Sequence, residues 1–277
     1  MTPIALTIAG SDSSGGAGIQ ADLKTFSALE VYGASVVTAL TAQNTRGVQG
    51  VMDVPSAFVT QQMDSVFGDL AVGAVKVGML SGPEIVDAVA DGLERHGAGN
   101  VVLDPVMVAT SGDRLISEPA LARLRERLLP LALVLTPNLP EAALLLGEEI
   151  ARSEDEMRRQ GERLLALGAR SVLMKGGHGT GPDSIDLFIA PASFGRLESP
   201  RFPTRNTHGT GCTLSAAVAA ALASGSILME AVAIAKHYVS DAIAAADGLG
   251  VGSGPGPVHH FHSWWKSALG EARQAVP

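Results

Sequence analysis

The run Asn206-Thr207-His208-Gly209-Thr210-Gly211-Cys212 consists of turn-forming residues and leads straight into the alanine-rich segment 213–223. Because that segment is rich in strong helix formers and is followed by Gly225, we predict a glycine loop that opens into a helix. The unpaired N–H groups and the positive dipole end of the first helical turn would face the loop and favour a bound anion. Gly209 and Gly211 would let the backbone approach that anion closely.

Cys212, the only cysteine of the chain, lies at the start of this predicted helix. A helix N-terminus stabilises a thiolate, so we expect the pKa of this thiol to be lowered. The alternative interpretation is a glycine turn that caps a buried helix, with Cys212 as a small core residue. The other segments of the chain bear on this choice.

Composition and charge limit the class of protein. The 277 residues are 46% hydrophobic but only 4% aromatic, which predicts an aliphatic core. A net charge of −8 argues against nucleic-acid binding, which would need a basic surface. The N-terminus lacks the basic segment of a signal peptide, and no apolar run reaches membrane-spanning length. With a single cysteine as well, we expect a cytoplasmic protein that binds neither nucleic acid nor membrane.

Short apolar runs alternate with helix-like segments along the chain. The strands are predicted at residues 4–9, 35–40, 75–80, 101–103, 133–135, 171–175, 186–189 and near 201–203. Helices are predicted from about residue 19, from Ser56 as N-cap, from Pro83, and over 153–167 with a capping box of Ser153 and Glu156. This alternation indicates an α/β fold with a mostly parallel sheet and helices on both faces. No linker divides residues 1–277, so we predict one domain.

Polar residues follow the predicted strands, and they are Asp12, Asp22, Gln43, Asn44, Asp104, Asn138, Glu141 and Lys175. In open α/β sheets, ligands bind at the carboxyl ends of the strands, although each residue on its own could be a cap or turn residue. No Gly-Lys-Ser or Gly-Lys-Thr occurs, which excludes a Walker P-loop.

Three of these side chains suggest specific chemistry. Asn138 and Glu141 are spaced to share one hydrated magnesium ion at a helix start, or to cap that helix instead. Lys175 could neutralise a phosphate, or could be a strand-end lysine in solvent. The His259-His260-Phe261-His262 run has no acidic or cysteine partner nearby, so we expect it to be structural and not a metal site.

The chain resembles the hydroxymethylpyrimidine/phosphomethylpyrimidine kinases of thiamine biosynthesis, which belong to the ribokinase-like superfamily. The matching motifs run in family order at residues 9–22, 41–45, 76–80, 104–107, 136–141, 174–178 and 206–212. The resemblance implies a ribokinase-like three-layer sandwich over residues 1–277, and a homodimer is expected. It also implies ATP-dependent phosphorylation of 4-amino-5-hydroxymethyl-2-methylpyrimidine and then of its monophosphate.

The same resemblance implies roles for individual residues. Gln43 would hydrogen-bond the pyrimidine edge, in a pocket also lined by Gly10, Asp22, Met79 and Val106. ATP would be bound by Lys175, Asn138 and Thr207. Its magnesium ion would be held by Glu141, Asn138 and Asp104. The catalytic anion hole would consist of Gly209, Thr210, Gly211 and Cys212.

The identity of the catalytic base stays open at this point. Most ribokinase-like sugar kinases carry an aspartate base at the position of Cys212, so a carboxylate base cannot be assumed for this chain. Two alternative functions also stay open: a pyridoxal kinase, and a pyrimidine sensor that binds without turnover. The predicted magnesium pair and anion loop argue against a sensor, which needs neither.

Overall fold

The fold is described from a computed structural model, and the description covers residues 1–107, 116–177, 179 and 181–265. The strands in this part of the chain are Ile4–Ala9 (β1), Tyr32–Val37 (β2), Ala39–Asn44 (β3), Gly47–Asp53 (β4), Ala74–Val77 (β5), Val101–Leu103 (β6), Val134–Leu135 (β7), Val172–Lys175 (β8), Asp183–Ala190 (β9) and Ser193–Pro200 (β10). The α-helices are Gly18–Ala28 (α1), Ser56–Phe67 (α2), Pro83–Arg95 (α3), Glu118–Arg123 (α4), Leu139–Leu146 (α5), Glu154–Ala166 (α6), Thr210–Ala223 (α7) and Leu228–Ala244 (α8).

Eight of the strands form one sheet in the order β10-β9-β8-β7-β6-β5-β1-β2. The six neighbouring strands β2, β1, β5, β6, β7 and β8 pair in parallel. β9 and β10 extend the sheet beyond β8 as an antiparallel hairpin. One apolar cluster packs α2 to α6 against one face, and a second packs α1, α7 and α8 against the other. The predicted mostly parallel sheet with helices on both faces is therefore confirmed.

Residues 39–53 form a separate two-stranded sheet of β3 and β4, which the sequence did not predict. The strand predicted at 35–40 is in fact the end of β2, a break at Thr38, and the start of β3. Thr38 is fully buried, and it donates its N–H to the Ala9 carbonyl and its hydroxyl to the Met79 carbonyl. These bonds turn the chain out of the main sheet although the apolar pattern continues.

The helix-start predictions are only partly correct. Pro83 is the first residue of α3, as predicted. Pro55, not Ser56, is the N-cap of α2, and no side chain caps that helix. The residues near 201–203 form no strand, because the chain leaves the sheet at the end of β10.

The predicted capping box of α6 is half formed. The Ser153 hydroxyl accepts the Glu156 N–H at 3.2 Å, as an N-cap should. The Glu156 carboxylate, however, accepts the N–H of Arg152, one residue before the N-cap. The second bond of the box is thus shifted by one residue.

The histidines of residues 259–262 pack into the structure. His260 is buried, with Nε2 3.1 Å from the Thr213 hydroxyl on α7, and the His259 ring lies edge-on to Trp265. No cluster of three His, Cys, Asp or Glu side chains that could hold a metal occurs in the described residues. The packing of His259 and His260 supports the structural interpretation of this segment.

Within the described ranges, no helix is long and apolar enough to cross a membrane. The single-domain prediction covers residues 1–277 and so extends beyond the described residues. His178, in the motif at residues 174–178, lies outside the described residues. The single domain stays a prediction.

Candidate active site

A cavity of about 660 Å³ opens at the carboxyl ends of the parallel strands, where the sequence predicts ligand binding. Its volume is in the range of small-molecule sites. The predicted site residues that line it are Gly10, Gln43, Met79, Asp104, Val106, Asn138, Glu141, Lys175, Thr207, Gly209, Thr210, Gly211 and Cys212. The ends of β3 and β8 and the segments that follow β1, β5, β6, β7 and β10 thus meet in one cleft.

The predicted glycine loop opens into α7, as expected. Gly209 is the N-cap and has a left-handed φ of 78°. A Cβ at this position would lie 1.9 Å from the carbonyl oxygen of Gly16, so this loop packs backbone against backbone on residues 10–17, a second glycine loop that joins β1 to α1. The Thr210 hydroxyl donates to the Thr207 carbonyl, which closes the turn. The N-termini of α1 and α7 therefore lie side by side at the cavity.

Asp12 holds the two glycine loops together. Its carboxylate accepts the backbone N–H groups of Ser14, Gly16 and Ala17, and it lies 2.8 Å from Nε2 of His208. Burial alone would raise the pKa of Asp12, but the hydrogen bonds from His208 and Ser14 hold it well below its usual value. Asp12 is therefore an ionised structural link and not a free cavity carboxylate.

The environment of Cys212 contradicts the predicted lowering of its pKa. Burial raises the pKa of the thiol to about 11, and the carboxylates of Asp22 and Asp104 act in the same direction. The ammonium group of Lys76 and a hydrogen bond from the Gly18 backbone N–H favour the thiolate but do not outweigh burial. The helix start was predicted correctly, but the enclosure of the sulfur was not.

Asn138 and Glu141 form a full capping box at the start of α5. Asn138 Oδ1 accepts the Glu141 N–H at 2.9 Å, and Glu141 Oε2 accepts the Asn138 N–H at 2.7 Å. The capping interpretation of this pair is thus correct. Burial raises the pKa of Glu141 to about 7, because the attraction of Lys175, 3.8 Å away, compensates only in part.

The donor set around Glu141 still fits a magnesium ion. Its Oε1 has no hydrogen-bond partner within the described residues, so one carboxylate oxygen is available in the cavity wall. Magnesium in phosphoryl-transfer sites is commonly held by one or two carboxylates together with water and substrate phosphates. The capping bond of Glu141 Oε2 therefore leaves Oε1 for a metal ion.

Asp104 pairs with Lys175, and this arrangement argues against its predicted role as a metal ligand. Asp104 Oδ1 accepts from Lys175 Nζ at 2.8 Å and from the Thr136 hydroxyl, while Oδ2 accepts from Ser215.

A Cβ on Gly211 would lie 3.1 Å from Lys175 Nζ, so the ammonium group lies against the anion loop. Burial would lower the pKa of Lys175, but Asp104 and Glu141 raise it above its usual value. Lys175 is thus a buried cation, not a solvent-exposed strand end.

Asp22 is not among the residues that line the cavity, which argues against its predicted place in the pyrimidine pocket. It is fully buried and accepts from the Thr7 hydroxyl at 2.6 Å and from Lys76 Nζ at 2.9 Å.

Lys76, which was not predicted as a site residue, lines the cavity instead of Asp22. The signal was a lysine inside the apolar run Val75-Lys76-Val77. The same signal marks Lys236, a missed cavity residue whose Nζ lies 2.8 Å from Asp186.

Gln43 lies on β3, not in a loop, and it lines the cavity. Ser13 fixes its backbone, since the Ser13 hydroxyl accepts the Gln43 N–H and donates to the Gln43 carbonyl, both at 2.8 Å. Its side-chain Oε1 accepts from the Thr41 hydroxyl at 3.2 Å. Gly10 packs against Met79, because a Cβ at position 10 would lie 3.0 Å from the Met79 sulfur. An amide and apolar surface thus share the cavity with the charged groups.

Comparisons with known proteins agree with this geometry. The family model described as phosphomethylpyrimidine kinase matches residues 12–259. The chain is 62% identical over 266 residues to the hydroxymethylpyrimidine/phosphomethylpyrimidine kinase of Rhizobium meliloti (strain 1021), which covers 96% of this chain and 100% of the relative. It is 57% identical to the protein of the same name from Escherichia coli (strain K12), and the match covers 94% of this chain and 98% of that relative. A solved Bacillus subtilis pyridoxal kinase in complex with ADP superposes with a TM-score of 0.89 at 37% identity, covering 96% of this chain and 100% of that chain.

Proposed function

The chain belongs to the phosphomethylpyrimidine kinase family, and we infer that it phosphorylates 4-amino-5-hydroxymethyl-2-methylpyrimidine and then its monophosphate, with ATP as donor, in thiamine biosynthesis. The predicted ribokinase-like fold and kinase class are confirmed by the same similarities. One observation carries the assignment. The buried cation Lys175 lies against Gly211 at the N-terminus of α7, in the same cavity as the amide of Gln43.

This arrangement supplies what phosphoryl transfer requires of a protein, which is positioning and charge neutralisation. Lys175 and the first N–H groups of α7 would bind the transferring phosphate, and Asp104 holds Lys175 in place. A bound magnesium ion supplies further neutralisation of phosphate charge, and Glu141 with Asn138 is the pair that would hold it. Gln43 would orient the pyrimidine, since an amide can donate and accept at once.

A coupled assay of ADP release tests the function. We expect ATP-dependent ADP release with the hydroxymethylpyrimidine and with its monophosphate, and product analysis should show the monophosphate and the diphosphate. Tight pyrimidine binding without ADP release would instead indicate the sensor function.

Pyridoxal phosphorylation is a second candidate, because the fold superposes closely on a pyridoxal kinase. Pyridoxal also presents a hydroxymethyl group on a heteroaromatic ring. The same assay with pyridoxal should give a kcat/KM well below that of the pyrimidine. A higher value for pyridoxal would reverse the order of the two candidates.

Replacing Gln43 by alanine is expected to weaken pyrimidine binding by about 10- to 100-fold, since up to two hydrogen bonds are lost. ATP binding should change little, because the phosphate-binding groups lie on other strands. Titration calorimetry with each ligand measures both effects. Gln49→Ala is the matched control, since Gln49 is exposed on the same hairpin and does not line the cavity. Equal losses for pyrimidine and ATP would contradict the assignment of Gln43.

Replacing Glu141 by glutamine is expected to raise the magnesium concentration needed for half-maximal activity by about 10-fold, because a charged metal ligand is removed. Glutamine preserves the capping interaction, so pyrimidine affinity should stay near the wild-type value. Glu156→Gln changes the corresponding capping residue of α6, outside the cavity, and should leave the magnesium titration unchanged. An unaltered titration for Glu141→Gln would place the metal elsewhere.

We also propose a homodimer and a cytoplasmic location. Apolar side chains are exposed on β3, β4 and α2, namely Leu40, Val51, Met52 and Phe58, and exposed apolar surface supports self-association. Sedimentation of the wild type and of Met52→Glu would test this, with a shift towards the monomer expected for the variant. The free thiol of Cys212 supports a reducing compartment.

A further inference from the structure

Lys76 is a fully buried lysine in the middle of the central sheet. It lies on β5, and its Nζ donates to Asp22 Oδ2 on α1 at 2.9 Å. The Thr7 hydroxyl of β1 donates to the same carboxylate oxygen. Burying such a pair gains little stability over apolar residues of similar volume. Fold stability therefore does not explain why a charged pair occupies this position.

The pair is also incompletely satisfied. Asp22 Oδ1 is buried and has no hydrogen-bond partner within the described residues. Burial, offset only in part by Lys76 and Thr7, raises the pKa of Asp22. A purely structural ion pair would be expected to bond both carboxylate oxygens. The arrangement instead concentrates the bonding on the oxygen that holds Lys76.

The ammonium group of Lys76 lies beneath the wall of the cavity that contains Cys212. Lys76, Gly18 and Cys212 line the cavity together. A Cβ on Gly78 would lie 2.7 Å from Lys76 Nζ, so the absence of a side chain there leaves room for the ammonium group. The ammonium group of Lys76 therefore borders the cavity, although Lys76 has no solvent-exposed surface.

Four charged groups act on the Cys212 sulfur, and each comes from a different element. Lys76 on β5 and Lys175 on β8 are cations, whereas Asp22 on α1 and Asp104 after β6 are anions. Among these charges, Lys76 has the largest influence on the thiol, and it favours the thiolate.

We propose that Lys76 is a positioning residue for phosphoryl transfer, whose ammonium group provides the counter-charge for the Cys212 thiolate while Asp22 holds that group in place. The proposal rests on the proposed kinase function, with Cys212 as proton acceptor. Cys212 first loses its proton to water. The thiolate then takes the hydroxyl proton of the substrate, as the bond from that oxygen to the γ-phosphorus forms and the bond from phosphorus to the ADP oxygen breaks.

The test uses the fact that Cys212 is the only cysteine, so alkylation of the full chain by iodoacetamide reports on this thiol alone. The rate is measured against pH without substrate, and the ultraviolet absorbance of the thiolate, with Cys212→Ser as blank, separates pKa from accessibility. We expect Lys76→Met to raise the thiol pKa and Asp22→Asn to lower it. A shift of about one unit corresponds to a tenfold change in thiolate fraction.

Opposite shifts are the signature that a merely structural role would not produce. Lys236→Met is the matched control, because Lys236 is also paired with an aspartate at the cavity, but that pair lies on α8 and β9 and not on β5 and α1. It should leave the thiol pKa unchanged. The double variant Asp22→Asn/Lys76→Met removes both charges, so its thiol pKa should lie between those of the two single variants, which keeps the test available if one single variant fails to fold.

The pH profile of kcat provides the second readout and should move in the same direction as the thiol pKa in each variant. Thiol pKa values that stay unchanged, or that shift together, would overturn the proposal even if the variants lose activity. A shifted thiol pKa with an unmoved kcat profile would also overturn it. Because the thiol titration needs no turnover, its outcome is independent of the ADP assay that tests the kinase function.

Discussion

Replacing Cys212 by alanine is expected to lower kcat by about 100- to 10,000-fold at saturating substrates, which is the usual contribution of a general base. The substrate hydroxyl must lose its proton as it attacks the γ-phosphate, and Cys212 lies in the cavity wall at the N-terminus of α7. Pyrimidine and ATP should still bind, as measured by calorimetry. Cys212→Ser should lose much of kcat as well, since a hydroxyl is a poorer proton acceptor than a thiolate.

The raised thiol pKa, about 11, sets the pH dependence. The reactive thiolate fraction increases as pH rises towards this pKa, so kcat should increase through the alkaline range. Bound ATP adds negative charge near the thiol and would raise the pKa further. Cys212→Asp should restore part of kcat and weaken the alkaline dependence, because a carboxylate ionises at lower pH.

Near-normal kcat for Cys212→Ala at saturating substrate would rule out the base. Cys212 would then be only part of the cavity wall, and positioning with charge neutralisation by Lys175 and the α7 N-terminus would carry the reaction. The proposed role of Lys76 would fail with it.

Replacing Gly209 by alanine is expected to destabilise the fold by about 2–3 kcal/mol, since a left-handed residue gains a Cβ that must displace the chain. That Cβ would lie 1.9 Å from the Gly16 carbonyl, so the two glycine loops have to separate. The displacement moves the N-termini of α1 and α7 relative to each other. We expect kcat/KM for ATP to fall by about 100-fold, as misplacement by one ångström can do.

Gly225→Ala provides the matched control for this prediction. Gly225 also has a left-handed φ, 93°, at the other end of α7, but a Cβ there would meet nothing within 4 Å. It should lose only about 1–2 kcal/mol, from the backbone conformation, and should keep wild-type kinetics. Chemical denaturation and steady-state kinetics on both variants measure the difference. If the two variants behave alike, the packing of the loops contributes nothing to the site.

Elements with a strong local pattern were predicted correctly. The apolar runs of β1 and β6, the proline at the start of α3, and the glycine loop before α7 depend on neighbouring residues only. The break at Thr38 could not be predicted, because it depends on bonds to the Ala9 and Met79 carbonyls while the local apolar pattern continues across it. The error placed Gln43 in a loop when it lies on β3.

The sequence by itself determined which residues come to the carboxyl ends of the strands, since short-range patterns place strands, loops and helix starts. Only the tertiary structure decided which of them are enclosed and what they face. Asp22 turned inwards to Lys76, 54 residues away in the sequence, and Cys212 gained a raised instead of a lowered pKa. Burial and charge interactions depend on distant elements packed together, and a local pattern contains no information about them.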